Sequence, residues 1–203
     1  MSRFARLASV TCPDHEAVAW ELARQFGHGP RIARGRDELG ELATRLPTTE
    51  SGEEQLAALA DLAARHFWVS ADDSHDVASP LLLSDVIRSG GGDPSAVAVA
   101  LVAIGARAEY ATDLVGDGAR LLVAYPGLYH VVDPAATPGL VDAHTYGVDL
   151  EWRCAHEVAG IVLTTIRRRA DLAGDLGRSV AATALLGTLP TSERPAPDLH
   201  ELN

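Results

Sequence analysis

Residues 81–108 read LLLSDVIRSGGGDPSAVAVALVAIGARA, and the order of apolar, glycine and proline positions along them decides the fold class. Pro80 opens a short helical stretch, Leu81-Leu82-Leu83-Ser84-Asp85-Val86-Ile87-Arg88, which Gly90, Gly91 and Gly92 end. Asp93 then stands where a helix needs a cap, because its carboxylate can accept a backbone N–H that has no partner inside the helix. Pro94 fits the first helical position, where no N–H is required. Every residue from 96 to 104 is apolar, so this helix has no polar face to offer water and belongs in a core. Nine residues are roughly half of what a membrane span needs. Gly105 is expected to close the helix.

Beyond Gly105 the apolar period changes from helical to alternating. Residues 106–114, 119–125 and 128–132 read as strands separated by Gly116-Asp117-Gly118 and Pro126-Gly127 turns. A three-stranded antiparallel meander packed on the buried helix is the natural arrangement. Two long helices are expected further on, at 151–169 and 176–189, joined at Ala173-Gly174-Asp175 as a helical hairpin. Upstream, Pro13-Asp14 begins a helix that Gly27 stops, a short helix covers 38–45, and Ser51 with Glu54 forms a capping box for a helix over 52–66. The expectation is a single α+β domain over 1–189, with a helical part (1–67), a core helix with strands (80–134) and a hairpin (150–189). Residues 190–203, rich in proline and polar side chains, read as a loosely attached tail.

Composition narrows the function. At 203 residues the chain can bury well over half of its unfolded surface, and 47% hydrophobic with 22% charged residues is the balance of a globular protein. The net charge of -11 repels phosphate backbones, and the one basic run, Arg167-Arg168-Arg169, fans around a helix, so nucleic acid is not an expected partner. All seventeen basic residues are Arg, which removes lysine nucleophiles, Schiff bases and the P-loop lysine. Arg-for-Lys and Ala-rich usage associates with GC-rich bacterial genomes. Cys12 and Cys154 lie far apart and no secretory apolar region opens the chain, so neither a disulfide framework nor a cysteine zinc site is indicated, and the cytoplasm is the expected compartment. No dinucleotide fingerprint is present, and no cofactor, metal or membrane is expected.

The order of these elements resembles the SirB-type branch of the transglutaminase-like superfamily. The residues that carry the resemblance are Leu82, Leu83, Val86, Ile87 and Arg88, then Gly92-Asp93-Pro94, then the apolar helix and Gly105. Leu121-Leu122-Val123 and Val131-Val132-Asp133-Pro134 resemble the two paired strands of that family, and the flanking helices match its layout. The resemblance implies a papain-like core and, in active members, a Cys at the start of the buried helix, a His on a following strand and an Asp on the next. A helix amino terminus lowers a thiol pKa, the His takes the proton and the carboxylate orients the imidazole. The matching positions here hold Pro94 or Ser95, then Ala119 or Arg120, then Asp133, so only the carboxylate is retained. Triad members act as a unit, and a scaffold without thiol and base is expected to be an accessory or binding module for a peptide or protein. Its cleft would be lined by Asp93, Ser95, Arg120, His130 and Asp133. For Asp133 the plain alternative is a carboxylate that caps the turn at Pro134.

Three other groups of residues compete with this cleft as candidate sites. Ser95, His130 and Asp133 could form a substituted triad for hydrolysis or acyl transfer, but His130 and Asp133 are three apart and point to opposite faces of a regular strand. No Gly-x-Ser-x-Gly elbow is present. Asp72-Asp73-Ser74-His75-Asp76, with His66 upstream, crowds possible metal ligands, yet the spacing matches neither a two-His helical motif nor a calcium loop and suits a solvated turn. Cys154 and His156 lie two apart at a helix start and face different directions.

Overall fold

A computed structural model describes residues 2–11, 13–70, 80–118, 120–136, 139–147 and 149–190. Helices α1 (Arg3–Ala8), α2 (His15–Gln25), α3 (Ile32–Ala43) and α4 (Gly52–His66) come first, followed by β1 (Trp68–Val69), α5 (Leu83–Ser89) and β2 (Gly91–Gly92). The core helix α6 (Pro94–Arg107) leads into β3 (Asp113–Gly116), β4 (Leu121–Ala124), β5 (His130–Val132), β6 (Leu140–Asp142) and β7 (Glu151–Trp152). The hairpin α7 (Ala155–Leu172) and α8 (Leu176–Leu186) completes the described chain. The protein is α+β, and no described helix is long and apolar enough to cross a membrane.

α6 is buried on all sides from Ala96 to Gly105. Asp93 caps it, its Oδ1 accepting the Ser95 N–H at 3.0 Å, and Pro94 takes the first position. The far end differs from expectation: the helix continues one turn past Ile104 to Arg107, so residues 106 and 107 are helical and not the start of a strand. Gly105 does not stop it. A Cβ at Gly105 would lie 2.9 Å from Thr112 Oγ1, so this glycine admits the returning chain, and Glu109, with φ 62°, makes the reversal.

A three-stranded meander is present as β3–β4–β5, antiparallel throughout, but its first strand runs Asp113–Gly116 and not 106–114, and short strands extend it at both edges into a five-stranded sheet ordered β6-β5-β4-β3-β7. β4 is buried on both faces. Leu121 and Val123 pack toward α6 with Leu114 and Val132, while Leu122 and Ala124 join Val115 and Val131 under Tyr146 and Trp152. Two covered faces explain why its Leu-Leu-Val-Ala sequence is continuously apolar and not alternating.

β7 occupies residues 151 and 152, which sequence periodicity assigned to the hairpin's first helix; α7 starts at Ala155, where Glu157 accepts the Cys154 N–H at 2.8 Å. α8 ends at Leu186, three residues short of the expected end. The glycine run after α5 also does more than end a helix. Gly90 is the left-handed cap, and Gly91 and Gly92, at φ 150° and 156°, pair in parallel with Trp68 and Val69. A Cβ on Gly91 would sit 2.0 Å from the Trp68 carbonyl oxygen.

α3 begins six residues earlier than expected. Gly35 lies in its first turn under the Trp20 ring, 2.7 Å from where a Cβ would be. α1 was not anticipated and is held by Phe4, 1% exposed, in a second apolar cluster with α2, α7 and Ala182 of α8. Residues 191–203 of the expected tail, Cys12, Ala119 and the Asp72–Asp76 segment lie outside the described residues.

Candidate functional site

At the amino end of α6, Asp93 is committed twice. Its Oδ1 caps the helix, and its Oδ2 lies 2.6 Å from a terminal guanidinium nitrogen of Arg169 on α7. The side chains are 9% and 5% exposed, so this is a largely buried ion pair. Pro94 and Ser95 follow it directly.

The carboxyl end of β5 holds a second group. Val123 pairs with Val132, and continuing that register places Asp133 beside the beginning of β4. Asp133 Oδ1 accepts the Ala135 N–H at 2.7 Å, the turn cap anticipated from sequence, and Oδ2 accepts the Tyr146 hydroxyl at 2.6 Å. The Arg120 guanidinium sits 5.7 Å from the centre of the Tyr146 ring. Burial, followed by the hydrogen bond and charge of Asp133, pushes the Tyr146 phenol well above its ordinary value, against the opposing charge of Arg120.

His130 belongs to neither group. It begins β5 opposite Asp142, exposed, near Asp142, His144 and Tyr129, the last two with rings 5.2 Å apart. Among the described residues no hydrogen bond or ion pair joins Asp93 or Ser95 to Arg120, His130 or Asp133. The five cleft candidates therefore divide into Asp93 with Ser95, Arg120 with Asp133, and His130 by itself. Ser95, His130 and Asp133 do not assemble as a triad.

A cavity of ≈ 210 Å³ opens beside the Asp93–Arg169 pair, between the end of α2, α5, the last turns of α7 and the start of α8. Phe26, Leu81, Leu82 and Ile166 supply apolar wall, and His28, Asp85, Arg88, Arg169 and Arg178 supply polar wall. His28 Nδ1 is 2.8 Å from Ser84 Oγ and 3.3 Å from Asp85 Oδ2, and the other Asp85 oxygen is 3.3 Å from both Arg31 and Arg88. Burial holds His28 below the usual imidazole value; Asp85 pulls it up, and Arg31, Arg178 and Arg88 push it down again.

Serine, histidine and aspartate thus meet at a cavity, yet their geometry is not that of a proton relay. A relay needs the hydroxyl on one ring nitrogen and the carboxylate on the other, so that the first accepts a proton while the second is held as a donor. Here both partners share Nδ1, and Ser84 is 3% exposed. This cluster was not found from sequence. Ser84 and Asp85 read as parts of a scaffold helix, and His28 sits 56 positions away from Ser84 with no motif to connect them.

Cys154 is a free, half-buried thiol at the cap of α7, and His156 turns away from it toward the Leu7 carbonyl, 3.4 Å distant. His66 Nε2 lies 3.3 Å from Arg45. Among the described residues no three His, Cys, Asp or Glu side chains are placed to hold a metal ion. Set against known proteins, the chain matches no family model, no curated protein and no solved structure.

Proposed function

We propose that this protein is a catalytically degenerate transglutaminase-like domain of the SirB type, with a papain-like core, that serves as an accessory module binding a peptide or protein segment at the amino end of α6. The observation that supports this most is the occupation of that end. Where a thiolate and an imidazole would have to meet, Asp93 is closed onto Arg169 and followed by Pro94 and Ser95, and no described imidazole hydrogen-bonds Ser95 Oγ or Cys154 Sγ. The helix amino terminus, which would stabilise a thiolate, instead stabilises a carboxylate that is already neutralised. What remains is a half-apolar cavity with a few convergent polar groups, the usual make-up of a recognition site.

Panning the immobilised native protein against a random peptide display library tests the reading. Enriched peptides that bind reversibly and return intact by mass spectrometry support it. Cleavage of those peptides, or a covalent acyl adduct on the protein, would mean that the cleft is catalytic.

A further inference from the structure

We infer that the cavity between α2, α5, α7 and α8 receives the free C-terminal carboxylate of a peptide whose last side chain is apolar. This rests on the binding reading above and names the ligand of that site.

Charge complementarity is the first argument. Among the described residues, three guanidinium groups, Arg88, Arg169 and Arg178, line the cavity against two carboxylates, Asp85 and Asp175, and Arg31 pairs with Asp85 behind them. A local surplus of positive charge within a chain of net charge -11 is a place where an anion is drawn in and held. The side chains of Arg88 and Arg178 are 61% and 55% exposed, and Arg178 stands 3.9 Å from Asp175, beyond hydrogen-bond length. Both heads are therefore able to turn onto a ligand oxygen, and a guanidinium presents the planar fork that suits a carboxylate. His28, held below the usual imidazole value by burial, adds hydrogen-bonding capacity beside Ser84 and Asp85.

Size and shape are the second argument. A volume of ≈ 210 Å³ equals about seven waters and falls below the ~300–1,000 Å³ of sites for drug-sized molecules. One residue fits, with its carboxylate at the arginine rim and its side chain against Phe26, Leu81, Leu82 and Ile166. A C-terminal residue presents both groups from a single Cα. An internal Asp or Glu carries its charge on its own side chain and so cannot present a carboxylate and an apolar side chain from the same Cα.

The test titrates ¹⁵N-labelled full-length protein with acetyl-Ala-Ala-X peptides, X being Leu, Ile, Val or Phe, as free acids and as C-terminal amides. Shift changes at the backbone amides of 80–88 and 166–178 are expected, with the acids binding about tenfold or more tightly than the amides. Arg88→Gln with Arg178→Gln, both on exposed side chains, should reduce the acids to the level of the amides, while Arg34→Gln, remote on α3, should change nothing. Acids and amides that bind equally would overturn the carboxylate assignment and leave the peptide-binding reading standing. Binding by none of the peptides would overturn both. N-acetyl-leucine binding as tightly as the peptide acids would show that no peptide is recognised and would overturn the assignment to a chain end.

Discussion

Replacing Asp93 with Asn separates its two tasks. Asn keeps the cap, since its side-chain oxygen can still accept the Ser95 N–H, but removes the charge that faces Arg169. Both side chains are less than one-tenth exposed, so the relevant magnitude is that of a buried pair losing one partner, about 3–5 kcal/mol, and not the 0–1 kcal/mol of surface pairs. For a chain of this size, where 1 kcal/mol moves Tm by about 2–4 °C, the expected loss is about 6–20 °C. Asp93→Ala should cost about 1 kcal/mol more, because the cap is lost as well. Arg169→Met should also be destabilising, and the double variant Asp93→Asn with Arg169→Met should be markedly more stable than the sum of the single losses requires. Urea and thermal unfolding followed by circular dichroism measure all four proteins. A Tm change under 2 °C for Asp93→Asn, or strictly additive losses, would refute the buried pair.

Gly91→Ala should lose more than the roughly 1–3 kcal/mol of backbone strain, because the new Cβ meets the Trp68 carbonyl and not a side chain that can move; soluble yield and the urea midpoint report it. Tyr146→Phe should cost about 1 kcal/mol at neutral pH, through the lost hydrogen bond to Asp133. It should also change the alkaline limb. The phenol's folded pKa is raised above its unfolded value near 10, so its contribution is complete below that pH and is lost as pH rises through the folded value, and Tyr146→Phe should flatten this part of the decline in an unfolding series. Asp85→Asn removes the group that pulls His28 upward, so the His28 ring resonance should titrate at still lower pH by NMR; a shift toward higher pH would contradict the placement of Asp85.

The same residues show what sequence could and could not convey. α4 was legible from end to end because Ser51 supplies a local cap and Leu56, Leu59, Ala60 and Ala63 repeat on one face. The start of α6 was legible for the same reason, in Asp93-Pro94, whereas its end depends on Thr112 returning to Gly105, which is a tertiary fact. The start of α3 depends on Trp20 packing over Gly35, which is a tertiary contact, and β1, β2 and β7 are too short to carry a period. In the candidate site, the Asp133 turn is local and was legible, but its bond to Tyr146, 13 residues on, was not. The Arg run 167–169 looked like a solvated fan, yet Arg169 is 4% exposed and pairs with a carboxylate 76 residues away. Nothing in its neighbourhood along the chain distinguishes it from Arg167 and Arg168. His28, Ser84 and Asp85 escaped notice because their meeting is made by the packing of α2 against α5.

Activity-directed labelling of the native protein tests the proposal of a catalytically degenerate cleft most directly. With a fluorophosphonate for hydroxyls and iodoacetamide for thiols, each followed by intact mass, a cleft without an activated nucleophile predicts no fluorophosphonate adduct and thiol labelling no faster in the native than in the unfolded chain. A single rapid adduct formed only by the native protein, and abolished by Ser84→Ala, Ser95→Ala or Cys154→Ala, would show that a nucleophile is activated after all.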